Sequence, residues 1–146
     1  MKFSLAITGA LAGVLVAAGP ALAQFKTPEA AVESLYAIYT KQGSDGFSDR
    51  DAPRFLDAQT LKLWRAARHK DSDFFIQGQD FELKDVSVAP ARIAGDKAET
   101  VVTFRNFGEP MRITYVFVQA KDGWRITDAR SSSGTLRAAL KRASKP

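Results

Sequence analysis

Between residues 27 and 70, apolar residues recur at helical spacing in two stretches. Thr27 offers an N-cap hydroxyl, Pro28 suits the first helical position, and the apolar repeat that follows continues until Gly43. A Gly-, Ser- and Asp-rich stretch at 41–52 then predicts a surface loop, after which Pro53 can start a short helical turn. A second helical repeat follows, with an apolar side that includes Leu61, Trp64 and Ala67. The sequence therefore predicts two main helices.

After Asp73, an alternation of apolar and polar positions replaces the helical repeat and predicts a sheet. The strand candidates are Phe81–Ala89, Ala98–Phe107, Met111–Ala120 and Trp124–Arg130. The loops between them are predicted at Gly95-Asp96, Gly108-Glu109-Pro110 and Asp122-Gly123. Because Asp-Gly suits a two-residue hairpin turn, we expect the last two strands to pair antiparallel.

The strand candidate at 111–120 is expected to lie in the centre of the sheet. Ile113, Tyr115 and Phe117 fall on one of its faces, and valines occupy the other face. After the last strand, the three serines at 131–133 are expected to cap a short C-terminal helix that contains Leu136. Helices followed by antiparallel hairpins predict an α+β domain, in which a curved sheet packs on the helices with a cavity between the two layers.

The first residues have the pattern of a secretory signal peptide. Lys2 provides a positive charge, and the stretch 3–18 that follows is uncharged. Gly19-Pro20 then breaks the helix, and the small residues at 21–23 suit a signal peptidase. We expect residues 1–23 to be removed and residues 24–146 to form a single domain in the periplasm or outside the cell. A membrane anchor is the alternative, but the apolar stretch is short for a spanning helix, so no membrane span is expected after cleavage.

Composition narrows the possible chemistry and the possible partners. The chain contains no cysteine, which excludes disulfides and thiol catalysis, and its formal net charge is +5. A basic balance of this size is compatible with simple solubility. If the excess positive charge serves binding, export favours an anionic lipid surface, a polysaccharide or an acidic protein over nucleic acid.

Several short motifs resemble those of the nuclear-transport-factor-2-like superfamily. They are the run from Thr27 to Val32 before Leu35-Tyr36, the pair Gln79-Asp80, and the run from Asp122 to Asp128, followed by a tail with Leu136. Within that superfamily the chain resembles a bacterial exported domain-of-unknown-function family over nearly all of residues 26–140. The resemblance implies a cone-shaped α+β fold, whose cavity serves isomerase or dehydratase chemistry in some relatives and binding in others. Relatives of this fold often pair through the sheet, which implies a possible homodimer.

His69, Asp80 and Asp128 are the candidate acid or base residues. His69 is the only histidine, so it is the one side chain that titrates near neutral pH without a perturbed pKa. It also lies in a basic run where the second helix is expected to end, and a surface residue at a helix C-terminus is the alternative. Asp80 stands beside phenylalanines that could desolvate its carboxyl, whereas Gln79 and Asp80 could equally satisfy backbone amides.

Asp128 is predicted to share a strand face with Trp124 and Ile126, where a carboxylate needs a partner. Arg105 or Arg112 on neighbouring strands could supply that partner, either at the cavity mouth or as a simple cross-strand pair.

A set of aromatic and polar residues is predicted to line the cavity between helices and sheet. The candidate ligand-binding residues are Tyr36, Trp64, Gln79, Asp80, Tyr115 and Phe117, with Tyr39 and Phe104 beside them. The same aromatic residues would also simply fill a core. No cofactor or metal is expected, because one histidine without cysteine makes a poor zinc site and the aspartates at 45–51 do not have calcium-loop spacing.

Three functions remain open from the sequence. The first is an exported non-catalytic domain that binds a small apolar ligand or a protein partner. The second is an acid–base enzyme of the isomerase or dehydratase type. The third is an inhibitor or immunity protein that blocks a cell-envelope hydrolase, with the loop 43–53 or the exposed sheet face as its contact surface.

Overall fold

The computed structural model describes residues 25–68 and 70–146, which form four helices and six strands. The helices are α1 (Pro28–Thr40), α2 (Ala52–Phe55), α3 (Ala58–Ala66) and α4 (Leu136–Ala143). The strands are β1 (Leu83–Val88), β2 (Arg92–Ala94), β3 (Lys97–Asn106), β4 (Glu109–Ala120), β5 (Gly123–Ser131) and β6 (Gly134–Thr135). The predicted signal peptide at 1–23 lies outside the described residues. Within the described ranges, no helix has the length and apolar character needed to cross a bilayer.

Helix α1 begins where the sequence predicts it. The Thr27 hydroxyl accepts a hydrogen bond from the Ala30 amide at 3.1 Å, and Pro28 occupies the first turn. The helix ends at Thr40, three residues before the predicted stop at Gly43, and Lys41 has an extended backbone. One broad face is buried, and it comprises Ala31, Val32, Leu35, Tyr36 and Tyr39.

Helices α2 and α3 form the second helical region. Pro53 lies in the first turn of α2, as predicted, and the Asp57 carboxylate caps α3 by accepting from the Thr60 amide at 2.8 Å. Helix α3 ends at Ala66, and the Arg68 amide then donates to the Ala143 carbonyl at 3.0 Å. This bond joins the end of α3 to the end of α4.

The strands form one antiparallel sheet in the order β1-β3-β4-β5-β6, with β2 also paired to β3. The central position of β4 is confirmed, and its residues Ile113, Tyr115 and Phe117 all point into the core. The curved sheet packs on the helices, so the α+β class is confirmed. The sequence missed β2 as a separate short strand.

The predicted turn at Gly95-Asp96 is confirmed, since Ala94 pairs with Lys97. The other two predicted turns are shifted by one or two residues. In the β3–β4 hairpin, Asn106 pairs with Glu109, so the loop is Phe107-Gly108 and not Gly108-Glu109-Pro110. In the β4–β5 hairpin, Ala120 pairs with Gly123, so Gly123 begins the strand instead of lying in the turn. The predicted antiparallel pairing of these two strands is confirmed.

A β-bulge makes the predicted face of Asp128 wrong. Val116 pairs with Asp128 but Phe117 pairs with Ile126, so the register shifts at Thr127. This extra residue turns Ala129 into the core and moves Asp128 off the apolar face.

Asp128 instead supports the start of α4. Its Oδ1 accepts hydrogen bonds from the Ala129 amide at 2.9 Å and the Arg137 amide at 3.0 Å. Among the described residues, neither Arg105 nor Arg112 forms the ion pair with Asp128 that the sequence offered, and Arg105 lies beside Asp85 instead.

The expected serine cap of the C-terminal helix was also wrong. The Thr135 hydroxyl accepts from the Ala138 amide at 3.2 Å and caps α4. The serines lie too early in the chain to cap α4, because the short strand β6 comes between them and the helix. Ser131 and Ser133 instead hydrogen-bond to each other at 2.8 Å.

We predict that Gly123→Ala destabilises the fold strongly. A Cβ at this position would lie 2.6 Å from the Phe25 carbonyl oxygen, whose bond to the Trp124 amide fixes the N-terminal segment. The φ of +126° at Gly123 adds backbone strain, so we expect a total loss of about 3 kcal/mol. The measurement is the free energy of unfolding from urea titration of residues 24–146.

Gly134→Ala is the matched control, since Gly134 has a φ of +118° but nothing within 4 Å of its added Cβ. Equal losses for the two variants would show that backbone conformation, and not the contact with Phe25, accounts for the effect.

Candidate functional site

A cleft of about 710 Å³ opens between the loop after α1, the segment 70–81 and helix α4. Its apolar lining includes Phe47, Trp64, Phe74, Phe81 and Leu140. Its polar lining includes Asp45, Asp49, Lys70, Asp71, Asp73, Gln79 and Arg142. This size and mixture are typical of a binding site.

Asp49 stabilises the cleft wall that the loop after α1 forms. Its Oδ1 accepts a hydrogen bond from the Trp64 indole N–H at 2.7 Å and lies 3.6 Å from the Lys70 ammonium. The Trp64 hydrogen bond and the positive charge of Lys70 lower the pKa of the Asp49 carboxyl below its ordinary value. Lys70 also lies over the Trp64 ring, 4.6 Å from its centroid. The indole therefore fixes the loop against α3.

The inner end of the cleft contains Asp73. One of its carboxylate oxygens accepts from the Tyr39 hydroxyl at 2.5 Å, and the other accepts from the Phe75 amide at 2.9 Å. Burial raises the pKa of the Asp73 carboxyl above its ordinary value, although both hydrogen bonds act in the opposite direction. Burial and the charge of Asp73 also raise the pKa of Tyr39.

A pair of tyrosines lies deeper in the core. The Tyr36 hydroxyl donates to the Phe75 carbonyl at 2.8 Å and lies 3.0 Å from the Tyr115 hydroxyl. Burial raises the pKa of both Tyr36 and Tyr115. Both hydroxyls therefore stay neutral and act as structural links between α1, the segment 70–81 and β4.

Asp73 is the carboxyl that sequence reasoning missed. Burial raises the pKa of this carboxyl in the cleft, and a raised carboxyl pKa is a common property of a general acid or base. Both of its oxygens are already hydrogen-bonded within the protein, so its present contacts are those of a structural carboxyl. Its position next to Phe74 and Phe75 was the available signal in the sequence.

The aromatic residues predicted to line a cavity divide between the core and the cleft. Tyr36, Tyr115 and Phe117 are buried in the core and do not line the cleft, because Tyr36 of α1 packs against Tyr115 of the sheet, and Phe117 lies beside Tyr115. Trp64 is also largely buried, but its ring contributes to the cleft wall. For the first three residues, the structure favours the core-filling alternative.

Gln79 and Asp80 lie at the surface. Gln79 lines the cleft, whereas the backbone carbonyl of Asp80 accepts from the Asn106 side chain at 3.1 Å. The Asp80 side chain is exposed, so it lacks the desolvation that its proposed role as a base required. His69 lies outside the described residues. Within the described part of the chain, no group of three His, Cys, Asp or Glu side chains is arranged to hold a metal ion.

Comparison with known proteins gives a similarity in fold. No protein-family model matches the chain, and no curated protein does. A chain in the crystal structure of the type VI native effector-immunity complex Tae3-Tai3 from Ralstonia pickettii is similar, with a TM-score of 0.57. The two chains are 24% identical, and the match covers 73% of this chain and 96% of that chain. This match shows a shared fold.

We predict that Asp73→Asn changes how stability depends on pH. Since the folded state raises the Asp73 pKa above its ordinary value of 3.8, the folded protein retains this proton longer than the unfolded chain does. Wild-type stability relative to Asp73→Asn should therefore fall as pH rises from about 3.8 to the raised pKa, and stay constant above it. The measurement is the difference in unfolding free energy between the two proteins at a series of pH values. A difference that grows with pH would mean that the hydrogen bonds from Tyr39 and Phe75 outweigh burial.

Proposed function

We propose that this chain is an exported immunity protein, which binds an effector protein and blocks its action in the cell envelope. The observation that carries the proposal is the similarity in fold to a chain of an effector-immunity complex, along 96% of that chain's length. The sequence leaves this function open beside a ligand-binding domain and an enzyme, and the similarity in fold favours the immunity function over the ligand-binding domain.

The interior gives little support to the small-ligand hypothesis. The space between α1 and the sheet is filled by side chains such as Leu35, Tyr36, Tyr115 and Phe117, each at most 1% exposed. Three of the residues that the ligand hypothesis used as cavity lining, Tyr36, Tyr115 and Phe117, are therefore packed in the core. The open cleft lies at the side of the fold, where a segment of a protein partner can reach it.

The polar groups of the site favour binding over catalysis. Asp73 and Asp49 are both engaged by neighbouring side chains, and the buried tyrosine hydroxyls point at each other and at backbone groups. A catalytic site needs a titratable group with a free position facing the reacting atom. The cleft instead combines apolar walls with charged side chains of both signs, and protein interfaces commonly combine an apolar centre with a polar rim.

The remaining parts of the proposal come from the sequence. The signal pattern at 1–23 supports export to the periplasm, where an effector that attacks the envelope would have to be neutralised. The order of two main helices followed by antiparallel hairpins supports a nuclear-transport-factor-2-like cone. In this proposal the cone is a rigid support for a contact surface and not a container for a ligand.

The test is capture of the effector, followed by neutralisation. Tagged residues 24–146 are expected to retain one envelope protein at equal stoichiometry when purified from their own cells. Export of that captured protein alone into the periplasm of a host should stop growth, and co-export of this chain should restore it. A small molecule bound in native mass spectrometry, with no protein retained, would support the ligand-binding alternative instead. A captured protein whose toxicity persists on co-export would contradict the immunity function.

We predict that Ala139→Arg weakens the effector complex by at least about tenfold, since a long charged side chain would fill the cleft. Ala138→Arg is the matched control, because the neighbouring residue on α4 is not part of the cleft lining. The measurement is affinity by calorimetry, with melting temperature as the check on folding. Equal affinities for the two variants would exclude the cleft as the contact surface.

A further inference from the structure

The tip of the β3–β4 hairpin presents a phenylalanine to solvent in a strained conformation. Phe107 is 58% exposed and has a φ of +49°, and Gly108 follows with a φ of +80°. The flanking residues Asn106 and Glu109 pair directly, so these two residues form the whole loop. Two positive φ values in a two-residue loop are the signature of a type I′ turn.

Local structure alone does not favour phenylalanine at this position. The first residue of a type I′ turn is preferentially Asn, Asp or Gly, since a bulky side chain in the left-handed region is strained. An exposed Phe107 also gains little from burial, because more than half of its surface remains in water. The chain therefore holds an aromatic residue where the folding of the hairpin gives it no advantage.

Contacts on both sides of the hairpin tip brace it, that is, they fix its backbone by hydrogen bonds and an ion pair. The Arg105 guanidinium donates to the Gly108 carbonyl at 2.9 Å and lies 3.7 Å from the Asp85 carboxylate on β1. The Phe107 amide donates to the Glu82 carbonyl at 3.1 Å. These contacts hold the loop in one conformation.

Asn106 anchors the base of the same hairpin. Its side chain is buried, accepts from the Glu82 amide at 2.9 Å, and donates to the carbonyls of Ile76 at 3.2 Å and Asp80 at 3.1 Å. Ile76 also lines the cleft, so the hairpin tip and the cleft belong to the same end of the molecule. The backbone of Phe107 is thus pre-organised, and pre-organisation reduces the entropy lost on binding.

The charges around the tip indicate the kind of surface that it fits. Lys84 pairs with Glu82 at 3.4 Å, and Arg105 pairs with Asp85. Asp80 and Glu109 are exposed and form no ion pair with any residue that the structure describes. Arg112 on β4 is also exposed and forms no ion pair with a described residue, so the surroundings of Phe107 carry a small excess of negative charge. This excess disfavours an anionic membrane or a nucleic acid as the partner.

We infer that Phe107 is the anchor by which this chain binds its effector, inserting its ring into an apolar pocket that Lys or Arg side chains surround. The inference rests on the proposed immunity function and names the residue that would contribute most to binding of the effector. Aromatic residues that fill a partner's pocket typically dominate the energy of a protein interface. Backbone strain that folding does not require is also a common property of functional positions.

Ile93 provides an internal comparison. It is 59% exposed, equal to Phe107 in this respect, but it lies in strand β2 with a regular backbone. Single exposed apolar residues are normal on protein surfaces, so exposure by itself does not indicate a site. The combination of exposure, strain and bracing separates Phe107 from Ile93.

The experiment compares Phe107→Asn with Ile93→Asn in the mature chain, using as probe the effector that wild-type protein captures from its envelope. We expect Phe107→Asn to raise the melting temperature by about 3 °C, because Asn suits the turn. The same variant should lose at least about 30-fold in affinity. Ile93→Asn should bind like the wild type and gain no stability. Opposite changes in stability and affinity exclude loss of folding as the reason for weaker binding.

A photo-reactive phenylalanine analogue at 107 gives a second readout in cells. We expect a cross-link to the effector from position 107 and none from position 93. Wild-type affinity in Phe107→Asn, or a cross-link only to a second copy of this chain, would overturn the inference while the immunity function still stands. Failure of the wild type to capture any effector would overturn both.

Discussion

The hydroxyl of Tyr36 connects the three parts of the fold on which the candidate site depends. It extends from α1, donates to the Phe75 carbonyl and contacts the Tyr115 hydroxyl on the central strand β4. Because these groups are buried, breaking one contact would leave a polar atom without a partner in the core, at a cost of about 1–3 kcal/mol. The segment 70–81, which contains neither a helix nor a strand, is therefore fixed against the regular elements by polar contacts.

That segment determines both surfaces with which the chain is proposed to bind. Asp73 and Gly78 pair their backbones, with the Asp73 amide 2.7 Å from the Gly78 carbonyl, and so close a compact turn. The turn contributes Asp73 and Phe74 to the cleft, and its Ile76 carbonyl accepts a hydrogen bond from the Asn106 side chain. A change in this turn would move the cleft wall and the base of the hairpin together. The cleft and the hairpin tip are therefore mechanically linked through a few hydrogen bonds.

The regular elements could be predicted from the sequence because their signals are local. The cap of Thr27, the helical repeat of α1 and the alternation around Tyr115 each depend on a few adjacent residues, and the structure confirms all three. The errors at the candidate site have non-local causes, whereas the shifted turns and the misplaced cap of α4 are local errors. One bulged residue, Thr127, reverses the face of Asp128, and no local pattern marks that insertion. Asp73 was missed for a similar reason, because its carboxylate hydrogen-bonds to Tyr39 of a helix that is distant in sequence.

Strain and packing at the two ends of β4 show how stability and binding can be separated in this fold. At one end Gly123 has a positive φ because the chain must pass close to Phe25, so the conformation serves packing and glycine is the residue that fits. At the other end Phe107 has a positive φ with its ring in solvent, so the residue opposes the local preference without a packing gain. A turn under selection for stability alone would place Asn or Gly there. Since natural proteins depart from local rules mainly at functional positions, the contrast between the two turns favours a binding role for the Phe107 end.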